Sequence, residues 1–196
     1  MDRACNKLFW CIFKVGLAVT LDALILAVAV YIYIYEISEY GMALKVEKMY
    51  KNIAAQTGQA QDMLPLEIDY SDVDNASTDG QRITIYMGFI KAHTWDEIAF
   101  VIGHEMAHGT LAHLNKEAPI PESGNDVLDM GVNGFNAVLE ANADKMGAVY
   151  MMKAGYDICK GREIFKHWKG EYGNALAQMH PDFSYRYDEL NINCGD

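Results

Sequence analysis

Positive charge is scarce in this sequence. Sixteen lysines and arginines stand against 27 aspartates and glutamates, a formal net charge of −11. Residues 1–45 carry four basic side chains (Arg3, Lys7, Lys14, Lys45) and four acidic ones (Asp2, Asp22, Glu36, Glu39), so the whole excess falls in residues 46–196. Such a surface repels phosphate backbones, and no basic stripe interrupts it, which argues against nucleic acid as a partner. Cysteine is sparse too, at four residues, while apolar residues make up 51% of the chain. A core of that composition needs no disulfide framework to hold it. No internal repeat and no low-complexity tract is present. The 196 residues suffice for one domain of ordinary size and little more.

One long apolar run is present, near the N-terminus. From Val15 to Tyr35 the only charge is Asp22. As a helix rising about 1.5 Å per residue, this stretch crosses a hydrocarbon layer of roughly 30 Å. Tyr31, Tyr33 and Tyr35 suit a membrane interface, where a ring is apolar at one end and wet at the other. A single transmembrane anchor over residues 15–35 is expected, embedded in the lipid bilayer. Two other readings compete: a signal peptide cut near Ala27-Val28-Ala29, which the apolar run outlasts, and a buried soluble helix. Asp22 would mark a helix–helix contact or a polar cavity. The division is then residues 1–36 as tail and anchor, and 37–196 as the working domain.

Arg3, Lys7 and Lys14 precede the span while Glu36 and Glu39 follow it, favouring an internal N-terminus and an extracytoplasmic domain (periplasmic in a bacterium), although Lys45 and Lys48 weaken that balance. In such a compartment Cys159 and Cys194 could pair; two free buried thiols are the alternative.

Past the anchor, residues 36–63 read as a helix with Met42, Leu44, Val46, Met49, Tyr50 and Ile53 as its apolar positions. Leu66, Ile68 and Tyr70 alternate with polar neighbours as a strand. Residues 74–80 are turn-forming. Ile83, Ile85 and Met87 alternate as a second strand closed by Gly88. Thr94 is the expected N-cap of a helix running to about Leu114, with Glu97 as its capping-box partner. Pro119 and Pro121 break the chain into a loop. Helices are then expected over Phe135–Ala154, stopping at Gly155, and over Lys160–Met179, with a short last one entered through His180-Pro181. Strands come early and helices late, so the fold class is α+β.

The chemistry is concentrated in His104-Glu105-Met106-Ala107-His108. Residues four apart on a helix differ by about 400° of rotation, so His104 and His108 face the same way and can share one metal ion. Glu105 is displaced enough to miss the metal and still deprotonate a water beside it. A catalytic zinc needs three protein ligands and one open position. A third histidine on the metzincin spacing would fall at Leu114, and the accompanying glycine at Leu111, so that pattern fails. His113 lies about 900° from His104, on the opposite side of the helix, and is assigned to packing or surface. Glu140 on a later helix supplies the third ligand. Asp144, four residues on, would accept the other ring N–H of a ligand histidine, His104 in the first instance, and fix its tautomer. The competing reading, a solvated acidic face, sits poorly with Ala141, Ala143, Met146 and Gly147 around the pair.

With these residues in place, the chain resembles the HtpX-like and CAAX-prenyl-protease-like zinc metallopeptidases, metallopeptidase family forty-eight among the gluzincins. The resemblance covers most of residues 45–190. It is carried by Asn75-Ala76 with the strand after Gly80, by Asp96 to His108 with His113 beyond, by Glu140-x-x-Ala143-Asp144-x-x-Gly147, and by His180-Pro181 with Arg186. It implies a minimal zincin-like catalytic domain holding one Zn2+ per chain. The function implied is endopeptidase cleavage of membrane-proximal or misfolded polypeptides. The strand bearing Ile83, Ile85 and Met87 would be an edge to which an extended substrate adds. His180 would stabilise the oxyanion, or close a latent state by turning onto the zinc, and Arg186 would hold that arrangement by pairing with an acid. A latent or chaperone-like zinc-binding module is the alternative function. Unlike multi-span relatives this chain has one span, and the repeat extensions of some periplasmic relatives are not seen.

Overall fold

A computed structural model describes residues 3–58, 64–111, 126–172, 183–190 and 194. The chain divides into two compact units, residues 1–44 and 45–196.

In the first unit, helix α1 (Arg3–Ile32) passes into a π-helical turn at Tyr33–Ile37. Gly16–Ile37 within it is long and apolar enough to cross a membrane, and none of it is buried. Its length and composition make it a candidate membrane span. Ser38 is extended (φ −70°, ψ 149°) and ends the run. Its hydroxyl then accepts from Gly41 N at 3.1 Å, capping helix α2 (Glu39–Thr57). Helix α2 is shorter than the expected 36–63, because Gly58 at φ +76° turns the chain out of the helix. Its buried residues Val46, Tyr50 and Ile53 form one face at helical spacing.

The second unit holds a three-stranded sheet of β1 (Leu66–Asp69), β2 (Ala76–Thr78) and β3 (Ile83–Tyr86), in the order β1-β3-β2. Strand β3 runs parallel to β1, with Leu66 opposite Ile83, and antiparallel to β2, with Ala76 opposite Ile85. This corrects the expected edge strand. Ile83 and Ile85 lie on the central strand, fully buried, with a neighbour on each side. The physical reason is that part of the turn-forming stretch 74–80 itself becomes β2 and covers β3. Met87 is not in the strand either: Met87–Ala92 form helix α3, one that strand-like alternation had hidden. Gly88 does not close a strand; it lies in that helix, where a Cβ would sit 2.4 Å from the Asp72 carbonyl carbon.

Helix α4 (Trp95–Thr110) begins at the expected capping box. Glu97 N donates to Thr94 Oγ1 at 3.4 Å, and Thr94 N donates to Glu97 Oε2 at 2.8 Å. Every residue from Glu97 to His108 is buried, so α4 is the central helix of the unit. It ends four residues short of the expected Leu114. Helix α5 (Asp126–Lys153) begins well before the expected Phe135 and ends as foreseen, before Gly155 at φ +89°. Helices α4 and α5 touch backbone to backbone: a Cβ on Gly103 would lie 2.7 Å from Gly147 O, and one on Gly147 would lie 2.6 Å from His104 N.

Of the single helix expected over Lys160–Met179, the part up to Tyr172 falls in two helices, α6 (Ile158–Gly161) and α7 (Ile164–Tyr172), and residues 173–179 lie outside the described residues. The break comes where Arg162 turns inward, buried, with its guanidinium 4.3 Å from the centre of the Tyr187 ring. Helix α8 (Phe183–Glu189) packs on α7 through Phe183 and Phe165, whose ring centres are 6.3 Å apart. Cys159 and Cys194 are joined by a disulfide, which resolves the alternatives left open above. The class is α+β, with a small mixed sheet against a helical layer.

Candidate metal centre

The crossing of α4 and α5 is what builds the site. Because Gly103 and Gly147 bring the two backbones together, His104, Glu105 and His108 of α4 face Glu140 and Asp144 of α5 with no intervening layer. All five are buried, at 2–8% exposure. His104 Nε2 and His108 Nε2 are 3.0 Å apart. Glu140 Oε1 is 3.2 Å from His108 Nε2, and Oε2 is 3.6 Å from His104 Nε2. One ligand atom from each of these residues lies within 4.8 Å of the other two.

Behind them, His104 Nδ1 is 2.8 Å from Asp144 Oδ1. Carboxylates accept, so Nδ1 carries a proton toward Asp144, and Nε2 is the nitrogen turned toward His108 and Glu140. Asp144 is gripped from the far side by Arg186, whose Nε donates to Oδ2 and Nη2 to Oδ1, each at 2.6 Å. Arg186 Nη1 also lies 3.1 Å from Glu140 Oε2, and its guanidinium stacks 4.7 Å from the centre of the Phe165 ring. Burial pushes the Asp144 carboxyl up, but the Arg186 charge and the bonds from His104 and Arg186 outweigh it and hold the group below its ordinary value. Burial pulls the Arg186 guanidinium down, and Asp144, Glu140 and Glu105 more than restore it.

The residues fit a divalent cation. Two imidazole nitrogens and a carboxylate are the donor set that zinc accepts. Three buried carboxyls (Glu105, Glu140, Asp144) stand around one guanidinium, so the site's charge balance favours a cation.

The site opens into a cavity of about 300 Å³ with His104, Glu105 and Glu140 in its wall. Asn75 and Ala76, at the start of β2, line one side; Trp168 of α7 and Phe183 of α8 line another. The structure thus brings together five residues singled out from spacing alone, and adds Arg186, which the resemblance supplied. His113 and His180 lie outside the described residues. Ile83, Ile85 and Met87 are core residues and do not line the cavity. Tyr187 OH donates to Glu163 Oε1 at 2.9 Å, and Tyr187 does not line the cavity. Trp168 and Phe183 were not foreseen, since an aromatic on a late helix carries no periodic signal that distinguishes a cavity wall from a core.

Residues 42–123 match the family model of peptidase family M48. The matched stretch takes in most of α2, the sheet, α3 and α4 with its two histidines; α5, with Glu140, lies beyond it. None of the curated proteins matches the chain.

Proposed function

Because residues 42–123 match the model of peptidase family M48, a family of metal-dependent peptidases, we propose that the chain is a member of it and a zinc-dependent endopeptidase acting on membrane-proximal or misfolded polypeptides. The observation that carries this reading is the convergence of His104 Nε2, His108 Nε2 and the Glu140 carboxylate beside Glu105, on the wall of an open cavity. A purely structural metal site has no use for a carboxylate in Glu105's position.

Zinc held by His104, His108 and Glu140 would supply Lewis acidity, polarising a peptide carbonyl and making water a nucleophile near neutral pH. Glu105 then takes the proton of the attacking water and returns it to the leaving amine. Asp144 fixes His104 in the tautomer that leaves Nε2 unprotonated, and Arg186 keeps Asp144 ionised and in place. Trp168 and Phe183 give the cavity an apolar wall. An extended substrate adds to β2, which is paired on one side only among the described residues and whose first residue, Ala76, lines the cavity.

The anchor is a single span over residues 15–35, with the peptidase unit on the extracytoplasmic side. The Cys159–Cys194 disulfide supports that side, since such bonds persist in oxidising compartments. The test is Glu105→Gln in the full-length chain in detergent: zinc content is retained and casein cleavage is lost. Full activity in that variant would sink the mechanism.

A further inference from the structure

A second group of metal-ligand side chains lies at the start of α4, outside the centre just described. A ring nitrogen of His93, a carboxylate oxygen of Glu97 and a ring nitrogen of His167 fall within 4.8 Å of one another. Their surroundings are specific. His93 Nε2 is 2.9 Å from Asp74 Oδ1, so the carboxylate accepts Nε2–H and the lone pair is left on Nδ1. The His93 side chain is 3% exposed, and its Nδ1 is buried without a hydrogen-bond partner. Glu97 divides its two oxygens. Oε2 accepts from the backbone and hydroxyl of Thr94, both at 2.8 Å. Oε1 is buried and accepts no hydrogen bond; His167 Nδ1 lies 2.7 Å from it but is not aligned to donate. A buried imidazole lone pair and a buried carboxylate oxygen, both unsatisfied, are costly in a protein interior. A His167–Glu97 ion pair alone satisfies Oε1 poorly and leaves His93 Nδ1 without a partner.

We propose that His93, Glu97 and His167 form a second divalent transition-metal site of the zinc class, with Asp74 orienting His93 as Asp144 orients His104. Two nitrogens and one oxygen are borderline donors that suit zinc, cobalt or nickel rather than calcium or magnesium. The His167 side chain is 54% exposed, so water completes the coordination and the ion exchanges more readily than one in the buried centre. An ion there ties α7 to the N-terminus of α4. Through the packing of α7 on α8 it also steadies the element that carries Arg186.

The inference does not rest on the peptidase reading, and its test separates the two. The full-length protein in detergent is stripped with chelator, titrated with Zn2+, freed of loose ion by gel filtration and assayed for zinc per chain by mass spectrometry. Co2+ absorption serves as an independent readout. The wild type is expected to bind two ions, the weaker of which is absent in His167→Ala and in the size-matched His167→Gln. The variant His108→Ala retains that weaker ion. A His167 variant that binds as many ions as the wild type overturns the proposal. So does a wild type that binds a single ion which His108→Ala removes, even if the peptidase reading stands.

Discussion

Gly147→Ala tests the claim that the site is set by how closely α4 and α5 approach. A Cβ at residue 147 would stand 2.6 Å from His104 N and 2.9 Å from His104 Cα, both backbone atoms that cannot rotate away. To reach the 3.4 Å at which ordinary contact begins, the two backbones must part by about 0.8 Å. The same displacement would stretch the His104–Asp144 bond from 2.8 Å to roughly 3.6 Å, beyond hydrogen-bonding range. The His108–Glu140 approach would open to a similar degree. Overpacking costs about 1–3 kcal/mol, and replacing a helical glycine by alanine returns about 1 kcal/mol, so the net loss of stability is modest, about 0–2 kcal/mol. The site suffers more. Losing the Asp144 support lowers metal affinity about 10- to 100-fold, and misplacement on this scale lowers cleavage on the order of 100-fold. The assay pairs zinc affinity, by competition with a chromophoric chelator, with urea unfolding. Gly109→Ala on the same helix is the control, because its Cβ meets only the Leu64 side chain, at 3.0 Å, and should leave zinc affinity unchanged. Wild-type affinity and cleavage in Gly147→Ala would refute the reasoning.

Other predictions follow from the same contacts. Asp144→Asn can still accept from His104 Nδ1 but carries no charge, so zinc affinity should fall about 10- to 100-fold; undiminished affinity would mean that Asp144 does not tune the histidine. Arg186→Met removes the only cation bonded to Asp144 and Glu140 among the described residues. It should cost about 3–5 kcal/mol in metal-free protein and distinctly less with zinc bound. Equal losses in the two states, by thermal unfolding with and without chelator, would show that zinc and Arg186 do not share the task of neutralising these acids. The double variant Cys159→Ser, Cys194→Ser frees a segment of 35 residues and should destabilise the full chain by about 3–4 kcal/mol; an unchanged urea midpoint would count against it.

How far the sequence could be read depended on whether one local rule decided each feature. The capping box at Thr94 and Glu97 was legible because both partners lie within one turn. His104, His108, Glu140 and Asp144 were legible because helical spacing fixes which face each shares. The sheet was not. Whether β3 is an edge depends on whether residues 76–78 pair with it, and that stretch reads equally well as turn or strand. The break between α6 and α7 was hidden because Arg162 in a helical pattern looks like a surface residue. Only tertiary structure supplies the Tyr187 ring over it. The His93–Glu97–His167 cluster was missed for a similar reason: the sequence had already assigned Glu97 a complete role as a cap, and nothing local links it to a histidine 70 residues later.

That double use of Glu97 bears on how α4 is held. A capping carboxylate ordinarily spends both oxygens on its own helix end or on water. Here one oxygen caps α4, and the other is buried toward α7. At the far end of the buried stretch, His104 and His108 reach across to α5. An ion shared by His93, Glu97 and His167 would fix α4 to α7 at one end, as the histidine contacts tie it to α5 at the other, and packing alone would let it slide. Between them lie Ile98, Ala99, Phe100, Val101 and Ile102, apolar side chains whose contacts have little directional preference. Register along α4 must then come from the polar groups at its two ends and from the Gly103–Gly147 contact. That register matters more than added stability for the metal centre, because displacement along the axis of α4 moves Glu105 and both histidines together.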